Sequence, residues 1–171
     1  MERMTDWSLK MAKIQNTIIP ETLKAIRAIG DRYTVRIVCM NANLMAGRDH
    51  AEKAIREALL AEKEGTMTAR SLEMEVLLYA SGQRQTSLAM KFGLHEGEMT
   101  TWIGLIPHSD AGWKELLDLI TPIPDEEEIP KDRIPILQRV YGITDDEIKT
   151  VGPDRIGELV IERTALLNVL K

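Results

Sequence analysis

The sequence predicts an α/β or α+β fold, in which a small mixed sheet is backed by several helices and one helix is buried at the centre. Residues 9–14 alternate apolar and charged side chains, which is the period of a half-buried strand. Residues 35–40 are apolar or β-branched at nearly every position, and residues 72–80 form an apolar run too continuous for a helix with one buried face. Strands interleaved with helices, without a repeated unit, favour a single sheet packed against helices.

The first half of the chain contributes two further helices. Pro20 suits the first turn of a helix, and apolar residues at spacings of three follow until Gly30, where we expect that helix to end. The strand at 35–40 is the best candidate for the central strand, because an apolar run without alternation indicates cover on both faces. Residues 48–63 predict an amphipathic helix. Its apolar stripe consists of Ala51, Ala54, Ile55, Ala58 and Leu59.

The middle of the chain is organised around the buried helix at 72–80. Gly82 ends it, because glycine adopts the left-handed conformation after a helix without a Cβ penalty. Residues 85–92 predict a short helix, and the β-branched and aromatic residues of 99–106 predict a strand that Pro107 ends. The inward side chains of the short helix are expected to be Leu88, Ala89 and Phe92.

The last third of the chain is mostly helical in pattern. Residues 112–120 predict an amphipathic helix, and shorter helical pieces follow near 134–141 and 145–149. The acidic, proline-containing link at 121–130 has little to bury, so we interpret it as an exposed connection or an insertion. A final helix begins at Pro153, and its broad apolar surface predicts one side on the sheet and another against a partner.

Length and composition favour one compact unit. With 171 residues and 44% hydrophobic content, residues 1–171 are read as a single domain. No run approaches the roughly 18 to 20 apolar residues that cross a bilayer, and the charged start is unlike a signal peptide. We therefore expect a cytoplasmic protein with no membrane contact. Cys39, in an apolar run and without a partner cysteine, is expected to be a small buried hydrophobe.

Charge is distributed unevenly along the chain. The formal charge of −5 argues against a general nucleic-acid binder. Residues 1–93 nevertheless carry a net +3 and residues 94–171 a net −8. Any anion-binding face is therefore expected in the first half.

Catalytic and metal-binding motifs are absent from the sequence. It contains no GxGxxG, P-loop, HExxH, GxSxG or CxxC pattern. His50, His95 and His108 are far apart, which disfavours a metal site. Glu73 and Glu75 point to different sides of a helix, and we expect a helix N-terminal charge and an exposed residue rather than a catalytic pair. The sequence disfavours an enzyme.

Three stretches together resemble a known family. They are residues 37–42 (IVCMNA), 47–54 (GRDHAEKA) and 73–85 (EMEVLLYASGQRQ). This combination is similar to the PRPK-binding protein, the small subunit of the KEOPS complex, in its archaeal form. The resemblance extends over residues 33–106 and returns more loosely in the last helix, whereas residues 108–150 depart from it.

The resemblance implies a non-catalytic protein without a cofactor, a metal or a small-molecule substrate. Members of the family bind the PRPK-type kinase-like ATPase subunit of KEOPS, the complex that installs threonylcarbamoyl on the adenosine next to the tRNA anticodon. The archaeal members also recruit tRNA by holding its single-stranded 3′ CCA end. A tRNA-binding adaptor of the kinase-like subunit is therefore the expected function.

Candidate RNA-binding residues surround the exit of the buried helix. Arg84 is expected to contact phosphate or a base edge, and Gln83 and Gln85 to read Watson–Crick edges, with Asn41 and Asn43 beside them. Composition alone favours a plain polar connection at 83–85. The second-rank candidates are Arg48, Lys53, Arg56, Arg70 and Lys91. The candidate partner-binding residues of the last helix are Leu166, Leu167, Val169 and Leu170.

Two alternatives remain open at this point. A purely protein–protein regulator of the kinase-like subunit would use the broad apolar helices and leave the Gln-Arg-Gln loop as structure. A small-molecule enzyme would require a deep pocket with convergent titratable groups.

Overall fold

A computed structural model of the chain describes residues 6–170 and, within them, the side chains except those of Asn16 and of residues 167–170. The four strands of this part form one sheet in the order β2-β3-β1-β4. They are β1 (Ser8–Thr17), β2 (Arg36–Asn41), β3 (Gly97–Ile106) and β4 (Thr121–Ile123). All three strand pairings are antiparallel. The expected mixed sheet, with both parallel and antiparallel neighbours, is therefore not found among the described strands.

Eight α-helices lie within the described residues. They are α1 (Ile19–Tyr33), α2 (Arg48–Glu64), α3 (Leu72–Ser81), α4 (Thr86–Ala89), α5 (Asp110–Leu116), α6 (Ile134–Tyr141), α7 (Asp145–Val151) and α8 (Ile156–Leu170). Short 3-10 turns follow β2 and α4 and precede α6 and α8. The mixed helix-and-sheet class predicted from the sequence is confirmed. Within the described residues, the structure contains no helix long and apolar enough to cross a membrane.

Helices cover both faces of the sheet. Because side chains alternate along a strand, Ile37 and Cys39 of β2 face α1 and α5, whereas Val38 and Met40 face α2, α3, α6 and α8. Trp102 of β3 is fully buried on the second face. The sheet is therefore the middle of three layers.

The strand at 36–41 is an edge strand and not the central strand that its composition predicted. Its only partner in the described sheet is β3, which pairs with β2 on one side and with β1 on the other. The apolar run was a sound indicator of burial, since residues 37–40 are at most 8% exposed. Hydrophobicity reports cover on the two faces of a strand and carries no information about its hydrogen-bonding edges.

Gly30 does not end α1, as the sequence predicted, because the helix continues to Tyr33 and closes at Thr34 in the left-handed region, with φ of 53°. A Cβ at residue 30 would lie 2.8 Å from the carbonyl oxygen of Val35, whose N–H donates to the Gly30 carbonyl at 2.9 Å. A glycine is therefore required at residue 30, because any side chain there would clash with the backbone where the chain enters β2.

The acidic link at 121–130 is more structured than expected. Residues 121–123 form β4, which pairs with residues 11–13 of β1. The Glu126 carboxylate accepts hydrogen bonds from both terminal nitrogens of the buried Arg133, with N···O distances of 2.5 and 2.6 Å. Contacts with residues elsewhere in the chain therefore order this segment, and its local composition does not indicate them.

Two short helices differ from the sequence prediction in their inward faces. The predicted helix at 85–92 is the single turn α4 followed by a 3-10 turn, in which Ala89 and Phe92 are buried but Leu88 is 39% exposed. The predicted helix at 112–120 begins and ends earlier, as α5, and Leu117 beyond it is 53% exposed.

The buried central helix is confirmed as α3. Ser71 caps its first turn by accepting a hydrogen bond from the Met74 N–H at 3.2 Å, and residues 75–81 are all buried. Glu75, expected to be exposed, is 0% exposed. Its carboxylate accepts hydrogen bonds from the N–H groups of Thr68 and Ala69, at 3.0 and 2.8 Å, which compensates for the loss of hydration.

Candidate functional site

The exit of α3 is the feature on which the predicted RNA site depends. Gly82 ends the helix in the left-handed region, with φ of 69°, and its N–H donates to the Leu78 carbonyl at 2.9 Å. A Cβ at this position would lie 3.2 Å from the Cα of Thr164 in α8. Glycine is therefore required both by the backbone conformation and by the close approach of the last helix.

One carbonyl oxygen at the end of α3 ties together several elements. The Ala80 carbonyl accepts from His50 Nε2 at 2.7 Å and from the Tyr141 hydroxyl at 3.3 Å. The same hydroxyl lies 2.6 Å from the Leu44 carbonyl, in the 3-10 turn after β2. The end of α3 and the segment after β2 are consequently held side by side by α2 and α6.

His50 acts here as a neutral structural residue. Its Nδ1 accepts from the Ala46 N–H at 2.9 Å, which assigns the ring proton to Nε2 and makes Nε2 the donor to Ala80. Burial lowers the pKa of the imidazole to about 4, and the bond to the Ala80 carbonyl only partly opposes that shift. The ring therefore carries no charge at neutral pH and is not an anion ligand.

The three residues after Gly82 differ in availability. Gln83 is half-buried, and its backbone N–H donates to the Ser81 hydroxyl at 3.2 Å. Arg84 and Gln85 are exposed. The Arg84 guanidinium makes no hydrogen bond or ion pair with another residue in the part of the chain that the structure describes. Five donors in a planar fork are thus presented from a rigidly held helix exit.

The asparagine that ends β2 and the one in the following turn differ in exposure. Asn41 is 9% exposed, and its side-chain oxygen accepts from the Asn43 N–H at 3.1 Å, so its carbonyl group caps the following turn. Asn43 is exposed. The Tyr141 bridge places this turn beside the end of α3, which brings the two parts of the predicted site together.

The candidate cations on α2 are already paired. Arg48 donates to the Leu9 carbonyl at 3.0 Å and to Asp125 at 2.8 Å, and it also lies 3.5 Å from Glu52. Lys53 pairs with Glu57 at 3.0 Å, and Arg56 lies 3.7 Å from Glu52. A phosphate would have to compete with these carboxylates.

Arg70 and Lys91 are exposed and have no ion pair among the described residues. Arg70 precedes α3 and Arg84 follows it, so a helix of ten residues, about 15 Å long, separates their positions. Lys91 lies in the 3-10 turn that follows α4. The structure therefore does not bring Arg70 together with Arg84.

The last helix has a buried side and an exposed residue near its end. Ile156, Leu159 and Val160 are at most 8% exposed and belong to the core, whereas Leu166 is 54% exposed. Leu167, Val169 and Leu170, the other predicted partner-binding residues, have side chains outside the description. Leu166 follows Thr164, the neighbour of Gly82, by two residues, which is about 200° around a helix, so Leu166 lies on the side of α8 away from the exit of α3.

Sequence reasoning missed His50, Tyr141 and Glu75, which hold the two ends of α3. One signal was available for His50, since it lies four residues before Ala54 on the apolar stripe of α2. Tyr141 and Glu75 bond to backbone groups of other segments. No spacing along the chain indicates those partners.

Two surface cavities bear on the enzyme alternative. One, of about 350 Å³, is lined mainly by apolar side chains and by Cys39, whose pKa is raised by burial to about 12, so that the thiol stays protonated. The other, of about 620 Å³, is lined by charged side chains that include Arg48, Glu126 and Glu158. Arg48 and Glu126 are each paired with another residue of the chain. Neither cavity presents a nucleophile activated by a neighbouring base.

Comparison with known proteins defines the relationship of this chain. The sequence model of the family described as kinase binding protein CGI-121 matches residues 12–168. The regulatory protein Cgi121 of Methanocaldococcus jannaschii is 29% identical over 135 residues, which cover 77% of this chain and 83% of that protein. The family match includes most of the sheet, α3 and its exit, and α8 as far as residue 168. The chain is a member of the CGI-121 family of kinase-binding proteins.

Proposed function

We propose that this protein is a non-catalytic regulatory subunit that binds a kinase-like ATPase and recruits tRNA through its 3′ CCA end. The assembly served would be KEOPS, which makes threonylcarbamoyladenosine in tRNA. Membership of a kinase-binding family supports the first part. The second part extends beyond the family description and depends on the exit of α3.

The observation that carries the RNA part is that Arg84 has no hydrogen-bond or ion-pair partner among the described residues. Single-stranded RNA is gripped by a few cations on phosphates together with polar groups that read splayed bases. Arg84 offers a guanidinium that no carboxylate of residues 6–170 engages, and the flanking Gln83 and Gln85 supply amide donors and acceptors. The His50 and Tyr141 bonds to Ala80 fix the helix end that presents these residues, which reduces the entropy lost on binding.

The test compares intact tRNA with the same tRNA trimmed of its CCA end, each titrated against the isolated chain. We expect the trimmed tRNA to bind at least about tenfold more weakly, since a lost charge-assisted contact costs roughly 1.5 to 3 kcal/mol. A trimmed tRNA to which the trinucleotide has been added back serves as the control and should recover full affinity. Equal affinity for intact and trimmed tRNA would contradict the RNA part.

A purely protein–protein regulator is the second candidate. It is favoured by the exposed Leu166 and by the pairing of the α2 cations with carboxylates. Under this alternative the chain associates with the kinase-like subunit but binds neither form of tRNA. The tRNA titration therefore distinguishes the two candidates.

A further inference from the structure

A group of hydrogen-bonded polar side chains, separate from the exit of α3, lies where β1 begins beside the start of α5. His108 Nδ1 is 2.8 Å from the Ser8 hydroxyl, and His108 Nε2 is 2.8 Å from a carboxylate oxygen of Asp110. Trp113 of α5 donates its indole N–H to the same hydroxyl at 2.8 Å. A serine, a histidine and an aspartate thus form one chain of hydrogen bonds that the proposed function does not use.

Strand pairing brings these residues together although they are far apart in the sequence. Ser8 lies opposite Leu105 in the antiparallel register of β1 and β3, so the segment that follows β3 runs beside the start of β1. The N–H of His108 donates to the Asp6 carbonyl at 3.1 Å and extends this pairing beyond the end of β3. Asp110 is the first residue of α5. The backbone therefore holds the imidazole within reach of both the hydroxyl and the carboxylate.

The partners of the neutral imidazole and of the hydroxyl assign their protons. The Asp110 carboxylate can only accept a hydrogen bond, which assigns the ring proton to Nε2 and leaves the lone pair on His108 Nδ1. The indole N–H of Trp113 can only donate, so it occupies one lone pair of the Ser8 oxygen. The hydroxyl proton of Ser8 is therefore directed at His108 Nδ1, and the second lone pair of the oxygen is left for another atom.

This arrangement has the three parts of an activated nucleophile. A serine oxygen becomes nucleophilic when a positioned base takes its proton, and a third group fixes the tautomer and orientation of that base. His108 is placed as the base for Ser8, and Asp110 as the group that orients it. Lys10 brings a positive charge beside them, because its Nζ lies 4.6 Å from the centroid of the Trp113 ring. A nearby cation stabilises the negative charge that develops on oxygen during attack.

The exposure of the group restricts the compounds with which it reacts. Ser8 is half-buried, but the side chains of His108 and Asp110 are 39% and 98% exposed. None of the three lines either of the two cavities described above. Without a pocket to bind a substrate, and with the carboxylate screened by water, this serine is not equipped to attack ordinary esters or amides. The class that fits is an acyl group already activated by a good leaving group.

We infer that Ser8 is a covalent modification site, at which an activated acyl compound transfers its acyl group to the serine oxygen. Ser8 Oγ attacks the acyl carbon while its proton passes to His108 Nδ1. The bond between the acyl carbon and the leaving group breaks, and the leaving group departs with the bonding electron pair and takes the proton from His108. The product is one serine ester per chain, so the modification is compatible with a non-catalytic protein.

The test mixes the full chain with p-nitrophenyl acetate at neutral pH. Release of p-nitrophenol is followed by absorbance, and the acetyl group is located by peptide mass spectrometry. We expect a burst of about one equivalent of p-nitrophenol per chain, with the acetyl group on Ser8. Ser87, an exposed serine with no base partner among the described residues, is the internal reference and should be acetylated about a hundredfold more slowly.

Variants separate the roles of the three side chains. Ser8→Ala should abolish the burst. His108→Ala should slow acetylation of Ser8 about a hundredfold, and added imidazole should restore part of the rate, which it would not do if His108 were only a structural residue. Asp110→Asn should slow acetylation about tenfold, whereas Asp118→Asn, at another exposed aspartate, should leave the rate unchanged.

Three results would overturn the proposal. The first is an acetyl group on Lys10 in place of Ser8, and the second is a rate at Ser8 no higher than at Ser87. The third is an undiminished rate in a His108→Ala protein that melts cooperatively. If His108→Ala does not fold, Asp110→Asn decides, because its side chain is almost fully exposed, and a wild-type rate in that variant would also overturn the proposal.

Discussion

The two ends of α3 use their polar groups in opposite ways. At the first end, Ser71 caps the helix and the buried Glu75 accepts from two backbone N–H groups, so the polar groups are satisfied within the protein. At the second end, the backbone is fixed by His50 and Tyr141, but Arg84 is exposed and unpaired among the described residues. A polar group that is hydrogen-bonded within the protein contributes stability. An exposed polar group that bonds only to water is available to a ligand.

The first end is tested by Glu75→Ala, for which we expect the largest loss of stability. Two N–H groups would lose their acceptor in a buried site, so the free energy of unfolding should fall by roughly 2 to 4 kcal/mol. Urea denaturation measures this change. Glu73→Ala, at a half-buried glutamate on the same helix, is the control and should cost less than about 1 kcal/mol. Similar losses in both variants would show that burial of Glu75 is not what secures this end.

The second end should be sensitive to acid through His50. Its folded pKa of about 4 lies below the ordinary value of 6.5, so the unfolded chain binds the proton more readily between these values. The contribution of neutral His50 to the free energy of unfolding is fully present above about pH 6.5 and is lost as the pH falls toward 4. Between pH 7 and pH 5 we expect His50 to account for a loss of about 2 kcal/mol.

Urea denaturation at the two pH values, compared with His50→Gln, measures this contribution. The variant should be less stable at pH 7 but should lose about 2 kcal/mol less on acidification, because it has no imidazole to protonate. An equal pH dependence in the two proteins would show that protonation of His50 does not destabilise the exit of α3.

The smallest expected effect concerns the exposed apolar residue near the end of α8. Leu166→Glu replaces an exposed apolar side chain on α8 with a charge, and we expect the affinity for the kinase-like subunit to fall about tenfold. Leu60→Glu, at a comparably exposed leucine on α2, is the control. Undiminished binding by a Leu166→Glu protein that melts normally would place the partner surface elsewhere.

Local signals in the sequence predicted much of this arrangement. Periodicity located β1 and α2, because burial of a face repeats at 2 or 3.6 residues, whereas a continuous apolar run located α3 and β-branched and aromatic composition located β3. Gly82 correctly marked the end of α3, since a left-handed residue is a local requirement. The exposure of Arg84 followed from that ending, whereas its contact with RNA stays a prediction.

The features that the sequence did not predict have partners far along the chain. β4 forms because residues 121–123 pair with residues 11–13 of β1, and the acidic sequence around it gives no indication of a strand. Glu75 looked like a surface charge because its acceptor role depends on where the Thr68 and Ala69 backbone folds. Gly30 fits the pattern of a residue that ends a helix, although what requires a glycine there is the close approach of Val35. In each case the cause is a tertiary contact.

The contrast between the two ends of α3 is tested most directly by Arg84→Glu, with tRNA affinity, kinase-subunit affinity and melting temperature measured on one preparation. Lys24→Glu is the matched control, because it changes the net charge equally at an exposed residue of α1, on the opposite face of the sheet. We expect Arg84→Glu to lower tRNA affinity by at least about ten- to a hundredfold, with stability changed by only about 0.5 kcal/mol and kinase binding retained. Normal tRNA affinity in Arg84→Glu, or joint loss of both partners with a lowered melting temperature, would contradict the account.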